Sequence, residues 1–277
     1  MKTCVALTPR RTQFAPLLFA GDLQHGMERA AELGYDGVEL NLRDPEELDQ
    51  EAILSWAREL DLEVPSLGTG QSYFVDGLSL AVAEPANQAA VRRRLEGLIR
   101  FASRLGARVV LGSIRGSLDV SSDEARQTGY RAAVEATREL AHYASGHGVS
   151  LTVEPINRYE TNFLNTIAET LEFIDTVGAP NLGLLADTFH MNIEEPSMTR
   201  PLIAAGDRLW HIHLVDSNRC APGMGHTDFA PIVSALVAAG YSGYLSGEIL
   251  PVPDDETAAA HWIQAVRRLF STQERDE

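Results

Sequence analysis

"TVGAPNLGLLADTF", residues 176–189, carries three signals in one short span. Gly178 follows a helix-like segment, where glycine takes the left-handed conformation without steric cost and ends the helix. Leu182, Leu184 and Leu185 then make a short run that is apolar on both faces, as a parallel strand covered by helices requires. Asp187 closes that run with a group that is expensive to bury.

The same phrase of helix, glycine and short β-rich run recurs along the chain. It reads "ELGYDGVELNL" (32–42), "RLGARVVLGSI" (104–114), "GHGVSLTVEPI" (146–156), "AAGDRLWHIHLVDS" (204–217) and "AAGYSGYLSGEIL" (238–250). With "CVALTP" and "EVPSLGTG" it gives eight strands, expected near 4–9, 37–42, 64–70, 108–114, 150–156, 182–188, 209–216 and 243–249. The segments between them have helical period: Val91, Leu95, Leu98, Ile99, Ala102 and Leu105 share one face, with arginines opposite. Eight strands alternating with about eight helices, and no linker or low-complexity break, predict an α/β fold, a (β/α)₈ TIM barrel. The barrel is expected to be one domain over 1–277. An open doubly wound sheet is the alternative, but no G-x-G-x-x-G follows the first strand.

Composition narrows the function. The 277 residues are 44% hydrophobic and 22% charged, with no apolar stretch approaching the roughly 20 residues that cross a bilayer. The N-terminal "MKTCVALTPRRTQF" places arginines where an export signal needs apolar residues, and Cys4 and Cys220 suggest no disulfide framework, so a cytoplasmic enzyme is expected. A net charge of −16 argues against nucleic acid. Lys2 is the only lysine, at a terminus expected to fray. That excludes a P-loop and Schiff-base chemistry, leaving carbonyl chemistry to a metal or to general acids and bases.

In a barrel the reactive groups stand at the C-terminal ends of strands. Those ends offer Glu154, Asp187, His213 and Glu248 on four successive strands, with His211 one pleat deeper, where it reads as support for His213. One acidic residue after a strand is ordinarily a helix cap or loop residue. Three carboxylates converging on one mouth repel one another unless a cation lies among them. Three oxygen ligands and one imidazole suit Mn²⁺, with Co²⁺, Mg²⁺ or Zn²⁺ as alternatives.

"VEPINRYETNFLNT" (153–166), "LADTFHMNIEE" (185–195), "HIHLVDSNRCAPGMGH" (211–226) and "SGEIL" (246–250) resemble the motifs of the ketose 3-epimerases, xylose isomerase-like barrels acting on D-tagatose and D-psicose. Within them, "GTGQSYFVDGLSL", "NLRDP" and "DSNRCAPGMGHTDF" look most like the 5-keto-L-gluconate epimerases. The resemblance implies that Glu154, Asp187, His213 and Glu248 bind one divalent metal. It makes Glu154 and Glu248 the acid/base pair, and gives Glu160, His190 and Arg219 the ketose hydroxyls and carbonyl. It also implies a homo-oligomer, dimer or tetramer. "DSNR" departs from the sugar epimerases' usual wording while keeping the arginine.

The implied reaction inverts C3 of a ketose or keto-sugar acid through a metal-stabilised enediolate, one glutamate on each face moving the α-proton. An aldose–ketose or hydroxypyruvate-type isomerase on the same barrel is the alternative; a metal-dependent apurinic endonuclease is opposed by the charge. A keto-acid would need a cation for its carboxylate, with Arg115 and Arg43 as candidates. Gln71 and His226 are candidates to line the pocket, whereas Trp56, Trp210 and Trp262 read as packing residues.

Overall fold

Gly34, Gly106 and Gly178 take φ of 78°, 71° and 70° just past the helices Leu23–Leu33, Pro85–Leu105 and Ile167–Val177. Each turns the chain from a helix into a strand, and the alternation builds the molecule. The computed structural model describes residues 1–11 and 16–273. Its strands are β1 (Lys2–Leu7), β2 (Gly37–Asn41), β3 (Ser66–Gly68), β4 (Arg108–Leu111), β5 (Leu151–Val153), β6 (Leu182–Asp187), β7 (Leu209–His213) and β8 (Tyr244–Gly247). They pair in sequence order, every pair parallel, and β8 closes on β1. The expected barrel is the observed one, and the open doubly wound sheet is excluded.

The apolar runs behave as two-faced strands. Leu184 and Leu185 are fully buried on opposite sides of β6. Trp262, in the last helix (Asp255–Gln273), is buried, stacks on Tyr35 and donates to the Leu214 carbonyl; Trp210 donates to the Asp207 carbonyl and Trp56 packs on the core. None of the three lines the barrel mouth. Between β6 and β7 the register slips: Leu184 pairs with Leu209 but Leu185 with His211, so Asp187 stands beside His213. Without that slip the two residues would not be neighbours across the ladder.

Two expectations need correction. All eight strands stop one to three residues short of their expected C-terminal limits, because "LV" at 214–215 and similar stretches stay apolar after leaving the ladder. Lys2 is not frayed: its amide donates to the Gly243 carbonyl and its ammonium pairs with Glu63, where β1 begins. It lies at the opposite end of the barrel from the mouth. No helix among the described residues is long and apolar enough to cross a membrane.

Candidate active site

β6 and β7 end on Asp187 and His213, while Glu154 and Glu248 are the first residues beyond β5 and β8. Four adjacent strand ends thus aim four side chains at one point, with one ligand atom of each within 4.8 Å of the others. His213 Nδ1 lies 3.5 Å from Glu154 Oε1, 3.6 Å from Asp187 Oδ2 and 3.8 Å from Glu248 Oε2. These separations are too long for hydrogen bonds. Glu154 Oε1, Asp187 Oδ2 and His213 Nδ1 are buried and make no hydrogen bond within the protein.

Buried polar atoms are nearly always satisfied, so several unsatisfied atoms pointing at one another make a group that could hold a metal ion. Their chemistry fits a divalent cation of the Mn²⁺ class. Gly112, just past β4, leaves the room: a Cβ there would come within 2.6 Å of Glu154 Oε2.

The electrostatics agree. Burial pushes Glu248 up to about 8, although His213 and Arg219 pull the other way. Burial also raises Glu154, against the pull of His213. For Asp187, burial is outweighed by His190, His213 and Arg219, and the carboxyl falls below its usual range. Burial lowers His213, yet Glu39 and the facing carboxylates carry it well above an ordinary imidazole. The cluster asks for positive charge at its centre.

A second group lines the same mouth. His190 sits in the helix Thr188–Glu194, whose N-terminus Asp187 caps by accepting from the Phe189 amide at 2.7 Å. Asn157 Nδ2 donates to His190 Nδ1 at 2.8 Å and to Glu160 Oε1 at 2.9 Å. Burial pushes His190 down to about 3, so the imidazole is neutral. With Nδ1 accepting, the proton is on Nε2, which lies 3.7 Å from Asp187 Oδ2.

Arg219 has φ of 62° and reaches Glu248 Oε2 at 3.0 Å and Glu160 Oε1 at 3.4 Å, its guanidinium over Phe189 at 4.8 Å. Glu160, His190 and Arg219 therefore line the same mouth as the cluster.

The other candidates lie elsewhere. Arg115 is buried, and its guanidinium donates to the carbonyls of Phe163, Gly112 and Leu164 at 2.9–3.0 Å. Burial lowers it to about 10, against the pull of Glu154 and Glu160. It braces the loop after β5 and does not line the mouth. Arg43 forks onto Asp76 at 2.6–3.2 Å, which Arg94 also bonds. Gln71 donates to Thr8 Oγ1 and the Asn41 carbonyl, tying β2 to the loops beside it, while His226 is exposed; neither lines the mouth.

Sequence reasoning missed Glu39 and Asn157. Glu39 Oε2 meets His211 Nε2 at 3.0 Å and His213 Nε2 at 3.1 Å. "GVELN" reads as an ordinary strand, and only the histidines folded against Glu39 distinguish it. Asn157, in "EPINRYE", had a signal in its motif. Roomier clefts lie between residues 118–131 and 162–172, and at the N-terminal end of the barrel around Lys2 and Arg58. Neither holds a convergent group of metal-binding side chains among the described residues.

Residues 27–269 match the family model described as "Xylose isomerase-like TIM barrel". An L-ribulose 3-epimerase of Methylomonas sp. (strain DH-1) is 34% identical over 251 residues, 87% of this chain and 85% of the relative. A ketose 3-epimerase of Arthrobacter globiformis is 32% identical, across 81% of this chain and 76% of the relative. Among solved structures, a D-allulose 3-epimerase from Methylomonas sp. in complex with D-allulose has a TM-score of 0.82 at 27% identity, covering 96% of this chain and 97% of that one.

Proposed function

Because this chain belongs to the ketose 3-epimerases, within the xylose isomerase-like TIM barrels, we propose that it inverts C3 of a ketose, with Glu154 and Glu248 moving the α-proton. One observation carries the reading. Two buried glutamates, at the ends of β5 and β8, flank a cluster that also contains Asp187 and His213 at the ends of β6 and β7.

Epimerisation beside a ketone removes a proton from one face of the carbon and returns one to the other. Each face needs a group that trades protons near neutral pH. Glu154 and Glu248, carboxyl groups from β5 and β8, are placed to serve one face each. The divalent cation, Mn²⁺ by the donor set, with Co²⁺, Mg²⁺ or Zn²⁺ as alternatives, supplies Lewis acidity toward the ketone when bound. Glu154, Asp187, His213 and Glu248 would hold it.

His190, neutral and with its proton on Nε2, donates to a substrate oxygen without bringing a charge. Arg219 and Glu160 orient hydroxyls, and Arg219 also fixes the Glu248 carboxylate. Among the described residues lining the mouth, Arg219 is the one arginine or lysine, and it already meets two glutamates. That favours a neutral ketose of the tagatose or psicose kind over a 5-keto-gluconate. The family supports a homo-oligomer, dimer or tetramer, of the 1–277 barrel, and the cysteine usage supports a cytoplasmic setting.

The test is turnover of D-tagatose, D-fructose, D-psicose and 5-keto-gluconates by Mn²⁺-loaded protein in D₂O, resolved by chromatography and proton NMR. Deuterium at C3 of an epimerised ketose is the expected result. Label at C1 or C2 of an aldose, or no turnover of any of them, would overturn the reading.

A further inference from the structure

We propose that Glu39 is a positioning residue that sets the tautomer of His213, keeping the proton on Nε2 and turning the Nδ1 lone pair toward the metal. This rests on reading the four-residue cluster as a metal site.

Glu39 sits on β2, across the barrel from β7, and is 1% exposed, as are His211 and His213. Its Oε2 is 3.1 Å from His213 Nε2, while Nδ1 of the same ring faces Glu154, Asp187 and Glu248 at 3.5–3.8 Å. A neutral imidazole has one N–H and one lone pair, and an ionised carboxylate only accepts. The two ends of this ring are therefore in competition. The three oxygens facing Nδ1 favour a proton there, which would disqualify that nitrogen as a ligand. Glu39 supplies the opposing pull at Nε2.

His211 secures the arrangement. Its Nε2 donates to the same Oε2 at 3.0 Å, so the carboxylate is held from two positions on β7 and cannot swing away from His213. Cys4 lies in the same pocket, its sulfur within 4.8 Å of ligand atoms of Glu39 and His211. Those three also have the composition of a separate thiolate-type metal site. The shared hydrogen bond to His213 favours the positioning role, because Glu39 Oε2 already accepts from two imidazoles.

The experiment compares Mn²⁺ binding by wild type and E39Q, using calorimetry and Mn²⁺ electron paramagnetic resonance on the full chain, with circular dichroism as the control for folding. The glutamine amide keeps the volume but removes the charge that holds the proton. One Mn²⁺ per chain in wild type, with affinity 10–100-fold weaker in a folded E39Q, is expected from the usual effect of losing such a partner. Affinity within threefold of wild type in folded E39Q overturns the proposal. So does a second tightly held ion per chain that is lost in C4S.

Should E39Q not fold, long-range ¹H–¹⁵N spectra of Zn²⁺-loaded wild type identify the protonated nitrogen of His213 directly. A proton on Nε2 supports the proposal, and one on Nδ1 overturns it. Wild-type protein that takes up no divalent ion at all overturns the metal reading itself, a result distinct from any change seen only in E39Q.

Discussion

Asp187 divides its two oxygens between tasks that looked like rival explanations. Oδ1 caps the helix after β6 by accepting from the Phe189 amide, and Oδ2 is the unsatisfied atom aimed at the cluster. One residue thus caps a helix with one oxygen and presents the other to the proposed metal site. In the proposed reaction Glu154 and Glu248 divide the work differently, as one base on each face of the substrate. Losing one of them should stop inversion without stopping all proton exchange. In E154Q and E248Q, assayed at saturating Mn²⁺, epimerisation should fall by about 10²–10⁴-fold, the usual worth of a positioned acid or base. Each variant should still exchange the C3 proton of one epimer with solvent D₂O, and the two variants should exchange opposite epimers. Proton NMR of the recovered sugar reads both effects; exchange of the same epimer in both variants would refute the two-face assignment.

At the scale of an element, the loop from Asp216 to Thr227 shows how Arg219 is held. The buried Asp216 carboxylate accepts from the amides of Ser217, Gly223, Gly225 and Thr227 at 2.7–3.1 Å. Burial raises that carboxyl, but those amides outweigh it and hold it below its usual range. The loop folds back on a single charge, which lets Arg219 adopt its positive φ and its carbonyl accept from the Leu250 amide at 2.8 Å. D216N keeps one acceptor oxygen and turns an NH₂ toward amides that are themselves donors. Hydrogen bonds to a charged group are worth about 1.5–3 kcal/mol each, so a stability loss of roughly 2–3 kcal/mol is expected. KM for the ketose should rise about tenfold while Mn²⁺ affinity stays near wild type, because Asp216 touches Arg219's loop and no ligand. Chemical denaturation, steady-state kinetics and calorimetry check the three parts. An unchanged KM would separate the loop from substrate binding.

Legibility in the sequence follows the same division. The eight strands were readable because glycine stops and two-faced apolar runs are local signals, and Glu154, Asp187, His213 and Glu248 followed from strand ends alone. Glu39 was hidden because its meaning depends on His211 and His213, more than 170 positions away. Arg115 and Arg43 were overvalued for the matching reason. Besides the nearby Gly112 carbonyl, their partners are the Phe163 and Leu164 carbonyls and Asp76, which no spacing in the sequence connects to them. Position on an element was visible, and the partner brought to it by closure of the barrel was not.

For the whole molecule, the cluster sets a conflict between stability and function that pH exposes. Glu248 is held at about 8 in the folded protein and returns to about 4.5 on unfolding, so between those values the folded state keeps a proton that the unfolded state releases. Its contribution therefore falls as pH rises. His213, raised above 6.5, acts in the same direction, since its stabilisation is lost as pH climbs through its folded value. His190 acts oppositely, being lowered to about 3, but its window ends near 6.5. The depressed Asp187 and Glu39 titrate in the acid range. From pH 6.5 to 8, Glu248 and His213 therefore dominate the cluster's effect, and both point downward. Protein stripped with a chelator should lose thermal stability across that interval, and E248Q should flatten the decline. Mn²⁺ at about 100 times its Kd should add about 2.7 kcal/mol, or roughly 5–10 °C in Tm at this chain length, and should largely abolish the slope by replacing the protons. Calorimetric melts at pH 6.5, 7.25 and 8, with and without Mn²⁺, provide the comparison. A stripped protein whose Tm is level across the interval would mean that Glu248 and His213 do not keep their protons as described, and a Tm that Mn²⁺ leaves unmoved would mean that the four side chains gathered at the barrel mouth do not share an ion.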